Sequence, residues 1–147
     1  MHSEISIWIG APPERVFPLV ADLGRWPERL PHYRYVRILR RSGGTVVAAM
    51  SARRGAIPVF WEAEQTTDRE GGRVRFRHVG GVTRGMEVLW SLEREAGGTR
   101  ARITHDLDLR WPIVGGFLAD RVIAPQFIEP IAALTLRRFK TLAESGE

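Results

Sequence analysis

Arg73-Val74-Arg75-Phe76-Arg77-His78-Val79-Gly80-Gly81-Val82-Thr83-Arg84-Gly85-Met86-Glu87-Val88-Leu89-Trp90-Ser91-Leu92-Glu93-Arg94 is the stretch that decides the fold. Val74, Phe76 and His78 alternate with Arg73, Arg75 and Arg77. Past the glycines, Met86, Val88, Trp90 and Leu92 alternate with Glu87, Ser91 and Glu93. A period of two marks a strand with one buried and one wet face, and the glycines between the runs free the backbone to reverse. The stretch is therefore an antiparallel pair, Arg73–Val79 and Gly85–Arg94, with its apolar set on one side. Outward from it, the pattern predicts strands over Arg34–Arg41, Thr45–Arg53, Val59–Thr67 and Thr99–Arg110. They are separated by Ser42-Gly43-Gly44, Arg54-Gly55-Ala56, Arg69-Glu70-Gly71-Gly72 and Gly97-Gly98.

The two ends differ from this middle. Ile5, Ile7 and Ile9 alternate as a first strand, which Ala11-Pro12-Pro13-Glu14 breaks. Pro13 suits a first helical turn, where a missing N–H costs nothing, and Val16, Phe17, Leu19, Val20 and Leu23 follow at helical spacing. Asp22 and Gly24 punctuate, and a second short helical piece, Trp26 to Leu30, sits around Pro27 and before Pro31. Near the C-terminus, Gly116 to Leu142 carries an apolar stripe of Phe127, Ile128, Ile131, Leu134, Phe139 and Leu142. Pro125 and Pro130 inside it predict a bend, or a break near Pro125. A strand, two short helices, six strands and a long helix make an α+β layout, with a seven-stranded curved antiparallel sheet wrapped around the long C-terminal helix.

A chain of 147 residues has room for one domain, 1–147. Hydrophobic residues at 44% and charged residues at 27% suit a folded, soluble chain, and no apolar run reaches the ~18 residues of a membrane span. The N-terminus lacks the basic and long apolar regions of a signal peptide, so a cytoplasmic location is expected. With no cysteine, disulfide scaffolds, thiol catalysis and thiolate metal sites are excluded. Phosphate loops, dinucleotide glycine fingerprints, nucleophile elbows and His-Glu-x-x-His motifs are all missing from the sequence, so no cofactor is implied.

Opposed residues of a hairpin share a face, which lets side chains be placed. Glu64 then sits by Arg77 and Asp68 by Arg73 on the wet face. The inner face receives Trp61, Ala63, Gln65, Phe76, His78, Met86, Val88, Trp90, Ile103, His105 and Leu107. The C-terminal stripe covers this face, with Phe127, Ile131, Leu134 and Thr135 on its lid side. Such a concave surface is apolar with a few hydrogen-bonding groups. His78 and His105 are candidates for acid–base work on a carbonyl ligand, although a buried imidazole more often only satisfies a backbone group or water. By register His78 faces Met86 and His105 faces Val88, one strand further on, and no third ligand lies near, so no metal site is expected.

The order of elements, with Ala11-Pro12-Pro13-Glu14-Arg15-Val16-Phe17, Asp22, Trp26-Pro27, Pro31, Gly85-Met86-Glu87-Val88-Leu89-Trp90 and the Gly98-Thr99 turn, resembles the START-like helix-grip superfamily. This is the group of polyketide cyclases, dehydrases and lipid carriers, with coenzyme Q-binding START-type proteins among them. The resemblance spans essentially the whole chain. It implies a deep cavity between the sheet and the last helix that holds a hydrophobic small molecule: a lipid, an isoprenoid quinone or a polyketide-like compound. The fold hosts enzymes and non-enzymes alike. In the aromatase/cyclase relatives, aromatic residues and an inward arginine are thought to orient the polyketide. Trp26 and Tyr33 match the aromatic positions, while the arginine's place falls at Gln65 or Thr67. Arg53 on the neighbouring strand could stand in, against a plain reading as a solvated strand end.

Three functions follow as expectations. The first is non-catalytic binding or transport by Trp26, Tyr33, Trp61, Gln65, Phe76, His78, Met86, Trp90, His105, Phe127, Ile131 and Thr135. The second is a polyketide cyclase or dehydrase using His78 or His105 with Arg53. The third is an interaction module. A net charge of +5, with 21 arginines and a single lysine, permits contact with RNA or an anionic membrane. Against that, Glu62, Glu64, Glu87, Glu93 and Asp106 share the outer face with Arg34, Arg37, Arg40, Arg41, Arg73, Arg75 and Arg77, and no aromatic stacking set accompanies them. A solvated, charge-balanced face is the simpler account, and no DNA partner is expected.

Overall fold

The computed structural model describes residues 1–81, 83–108 and 119–146. Strand β1 (His2–Ile9) is followed by helix α1 (Pro13–Ala21), a 3₁₀ turn at Leu23–Arg25 and helix α2 (Trp26–Arg29). Six strands come next: β2 (Tyr33–Ser42), β3 (Thr45–Arg54), β4 (Ile57–Asp68), β5 (Arg73–Gly81), β6 (Glu87–Glu95) and β7 (Gly98–Asp106). A π-helical segment, Ala119–Ile128, leads into helix α3 (Glu129–Ser145). The seven strands form one antiparallel sheet in the order β1-β7-β6-β5-β4-β3-β2, so each hairpin lies beside the next and only β1 crosses over, to pair with β7. The expected helix-grip arrangement is present.

The alternation in the sequence becomes two faces as the pleat requires. Glu64 pairs opposite Arg77, Asp68 opposite Arg73, and Val88 opposite His105. His78 donates its backbone N–H to the Met86 carbonyl at 2.9 Å. On the concave side Ala63, Phe76, Met86, Trp90, Ile103 and Leu107 are all buried. Against them pack α1, which buries Val16, Phe17, Leu19 and Val20, and α3, which buries Ile131, Ala132, Thr135, Leu136, Phe139, Leu142 and Ala143. Trp26 is the centre of this packing. Its ring lies 5.2 to 5.7 Å from Tyr33, Phe76 and Phe139, and its indole N–H donates to the Val20 carbonyl at 3.1 Å. With that hydrogen bond made, the only face Trp26 offers its neighbours is apolar.

Several boundaries move from the sequence reading. Gly85 and Met86 are part of a turn, closed by Met86 N–H donating to Thr83 O, and β6 begins only at Glu87. β7 ends at Asp106 rather than Arg110; residues 109 and 110 lie outside the described residues, as does Gly116. The change of helix type falls at Ile128–Glu129, not at Pro125, which is accommodated within the π-helical turn. Pro130 occupies the first turn of α3, where it needs no N–H partner. Leu134 is corrected outright: it is 41% exposed. At about 100° per residue, position 134 falls about 140° from Phe139, on the solvent side of α3.

Candidate functional site: a cavity under the C-terminal helix

The sheet and α3 do not fill the space they enclose. Between them lies a cavity of about 470 Å³, room for about fifteen waters at their liquid volume and within the usual range of small-molecule sites. Its inner wall is Trp26, Tyr33, Phe76, Met86, Val88, Trp90 and Ile103. Phe127, Ile128, Ile131, Ala132 and Thr135 form the roof. Ile57 and Phe60, at the start of β4, also line it and are 55% and 52% exposed, so the cavity reaches the surface at the β3–β4 hairpin. Among the described residues that line it there is no aspartate, glutamate, lysine or arginine.

Gly81 lets the mouth close up around this hairpin. It has φ +95°, and a Cβ there would lie 2.9 Å from the Phe60 carbonyl oxygen, inside contact distance. Only glycine meets both demands at low cost. The result is a bulge between Glu62 and Ala63 that sets Trp61 opposite Gly81 and its ring parallel to His78, centroids 5.7 Å apart.

Polar groups enter the cavity at few points. Nδ1 of His78 is 2.8 Å from the Thr83 hydroxyl. Burial pushes its pKa down to about 3, with His105 contributing in the same direction. Burial likewise pushes His105 down to about 4, opposed by the Asp106 carboxylate. Both imidazoles are therefore neutral at pH 7. Nδ1 of His105 is buried and has no hydrogen-bond partner among the described residues, an exception to the general rule that buried polar atoms are paired. Depending on tautomer, that nitrogen can accept from a ligand hydroxyl or donate to a ligand carbonyl.

A third histidine belongs to the same region and escaped the sequence reading. His32 Nε2 lies 2.8 Å from the Thr135 hydroxyl, which donates in turn to the Ile131 carbonyl at 2.8 Å. With the Thr135 proton on the Ile131 carbonyl, the His32 tautomer protonated at Nε2 donates to Thr135. Desolvation lowers the His32 pKa, the Ile131 carbonyl opposing it, and burial holds the Tyr33 hydroxyl protonated, with the Thr135 hydroxyl acting the other way. His32 precedes β2, where no periodicity assigns a face.

Of the residues expected at the site, Trp26, Tyr33, Trp61, Phe76, His78, Met86, Trp90, His105, Phe127, Ile131 and Thr135 lie on the cavity wall. Gln65 does not. It is 2% exposed, but its amide donates to the Ala21 carbonyl at 3.1 Å, tying β4 to the end of α1 away from the cavity. Arg53 is also absent from the wall. It is exposed and shares the parity of Ser51, while Met50, Ala52 and Arg54 share the concave side. The arginine that reaches across is Arg54: its Nε donates to the Gln126 carbonyl at 2.9 Å, bridging the hairpin to the π-helical segment. Counting parity from Met50 to the end of β3 would have found it.

A family model described as "Polyketide cyclase / dehydrase and lipid transport" matches residues 9–129 of the chain. A Streptomyces cyaneus protein named "Putative polyketide cyclase" is 34% identical over 112 residues, which cover 74% of this chain and 74% of that one. Among solved structures, one from Thermus thermophilus superposes with a TM-score of 0.84 at 25% identity, covering 100% of this chain and 99% of its own. The Zhui aromatase/cyclase from Streptomyces sp. R1128 gives the same TM-score at 19% identity, over 98% of this chain and 93% of its own, a likeness of fold. The wrapped sheet, the roofing helix and the hollow between them accord with these matches, and the chain belongs to the polyketide cyclase/dehydrase and lipid transport family.

Proposed function

We propose that the protein binds a hydrophobic, uncharged small molecule (a lipid, an isoprenoid quinone or a polyketide-like compound) in the cavity beneath α3. One observation carries the reading: 470 Å³ of space with no ionisable acid, lysine or arginine among the described residues of its wall. A charged ligand would lose its hydration there with no counter-charge to offset it. An apolar one that buries on the order of 300 Å² gains about 7 kcal/mol before the costs of association. Trp26, Trp61, Trp90, Phe76 and Phe127 supply the walls. His78, His105, Tyr33 and Thr135 fix orientation through hydroxyl or carbonyl groups on the ligand.

The test is to plug the hollow. Ala132 lies on the roof and is 6% exposed. Ala132→Phe should lower affinity for a neutral dye such as Nile red by roughly tenfold or more, the scale of one lost anchoring contact, with far-ultraviolet circular dichroism unchanged. Undiminished dye binding by a folded Ala132→Phe protein would refute the proposal. Mass spectrometry of solvent extracts of the purified protein then identifies any lipophile carried with it.

A second reading is favoured by the orphaned Nδ1 of His105. A neutral imidazole facing a ligand carbonyl can shuttle a proton during cyclisation or dehydration, and the names of the Streptomyces relatives support a polyketide-like substrate. Under it, His105→Gln abolishes turnover of such a compound while Nile red still binds. Equal turnover by His105→Gln and the parent eliminates it.

A further inference from the structure

The cavity opens through a lip that is unlike the rest of the protein surface. Ile57 and Phe60 are both more than half exposed, and Pro58 between them is exposed as well. Elsewhere the other large exposed apolar side chains of the described residues, Trp8, Leu39 and Leu134, are scattered singly, and Trp8 is engaged by the Glu95 carbonyl and the Lys140 ammonium. Ile57 shares the concave side with Arg54 and Phe60 the outer side with Ser51, so the strand end at the cavity mouth exposes a large apolar group on each face, a feature of interaction sites.

Arginines surround this lip. The Arg34 guanidinium stands 5.3 Å from the centre of the Phe60 ring and donates to the Ser51 hydroxyl. Arg53 pairs opposite Pro58 in the hairpin, and Arg54 reaches over to Gln126. Arg84 follows Thr83, a wall residue, in the turn between β5 and β6. No acid occurs in residues 51–61, 79–86 or 122–128, the segments that border the opening. Among the described residues none of these four arginines forms an ion pair, whereas Arg25, Arg94, Arg100 and Arg102 each have an acidic partner. Among the described residues no carboxylate pairs with the positive charge at the mouth.

We infer that the mouth docks on an anionic lipid bilayer, with Ile57, Pro58 and Phe60 entering the headgroup–acyl boundary and Arg34, Arg53, Arg54 and Arg84 meeting lipid phosphates. Apolar side chains flanked by arginines are what interfacial binding needs, and guanidinium matches phosphate geometry in a way a lone ammonium does not. RNA would engage the arginines but leave the apolar lip in water. In the docked orientation a lipophile passes from the hydrocarbon region into the cavity without crossing bulk solvent. The inference rests on the proposed ligand class, and it names where the ligand is collected or delivered.

The experiment is co-sedimentation of the full chain with sucrose-loaded vesicles of phosphatidylcholine alone and of phosphatidylcholine with about a third phosphatidylglycerol. Each basic residue near an anionic surface strengthens binding roughly fivefold. The anionic vesicles should therefore bind at least roughly tenfold more tightly, less so as salt rises. Arg53→Gln with Arg84→Gln should cost roughly twenty-five-fold, and Phe60→Ser should weaken binding too. Arg75→Gln, on the outer face of β5, should change little. Equal binding to both vesicles, or an Arg75→Gln loss matching the double variant, overturns the inference; so does retention of the protein by an acidic protein column without any vesicle binding. Nile red uptake, read in parallel without vesicles, separates the two ideas. Dye uptake without vesicle binding removes the docking alone, and failure of dye uptake removes the ligand-binding proposal itself.

Discussion

Protonating the two cavity histidines should cost the protein a large share of its stability, and the size follows from their surroundings. His78 and His105 each start from an ordinary value of 6.5 and are pushed by burial down to about 3 and about 4. Above pH 6.5 both are neutral in the folded and the unfolded chain, so neither adds any pH dependence. Below 6.5 the unfolded chain takes up protons that the folded chain refuses, and stability falls as pH falls until the folded values are reached. Each unit is worth ~1.4 kcal/mol per histidine. At pH 5 each has removed about 2 kcal/mol, and the pair about 4 kcal/mol, against a typical total of about 5–15 kcal/mol. For a chain of this length that lowers Tm by about 8–16 °C. His32 is shifted in the same direction and adds to the fall. The assay is urea unfolding followed by tryptophan fluorescence at pH 7.5 and 5, on delipidated protein, for the parent, His78→Gln and His105→Gln. Each variant should lose about 2 kcal/mol of the parent's pH 7.5-to-5 difference, somewhat under half of it, whatever its own baseline. A parent equally stable at both pH values, or variants that keep the full difference, would show a cavity wet enough to solvate an imidazolium and would refute the reasoning.

Other expectations can be checked with the same unfolding assay or a ligand-exchange measurement. Phe139, fully buried and ring-packed against Trp26 and Trp90, should cost about 3–5 kcal/mol as Phe139→Ala. Gly98→Ala drives a Cβ into the Ile9 carbonyl and against the Trp8 ring, at the β1–β7 seam. It should lower stability by about 2 kcal/mol or more, a Tm drop of at least about 4 °C by scanning calorimetry. Arg54→Ala removes the bridge to Gln126 across the mouth, so bound Nile red should leave several-fold faster in stopped flow with little change in Tm. An unaltered release rate would show that the bridge does not limit passage.

Much of the arrangement was legible in the order of residues because a pleated strand ties each side chain to a face. Once Val74, Phe76 and His78 are set inward, hairpin pairing carries the assignment from strand to strand. That is why spacing alone puts Trp61, Trp90 and His105 on one wall. Parity fails where the chain stops being a strand. It says nothing of His32 in a loop; at the end of β3 it puts Arg54 inward and leaves Arg53, offered only through the family resemblance, as the exposed strand end of the plainer reading. It also cannot distinguish two inward polar side chains by what they meet. Gln65 and His78 share the concave face, yet one is consumed by the Ala21 carbonyl and the other borders open space.

The sequence by itself determined seven strands, their faces, and a C-terminal helix with an apolar stripe, since each depends on spacing between near neighbours. Only the tertiary structure decided that sheet and helix stand far enough apart to leave a hollow, that Leu134 faces water, and that one nitrogen of His105 has no partner among the described residues. Those properties depend on distances between residues far apart in the chain, set by how strand twist, the Gly81 bulge and the α3 packing add up, and no local pattern records that sum.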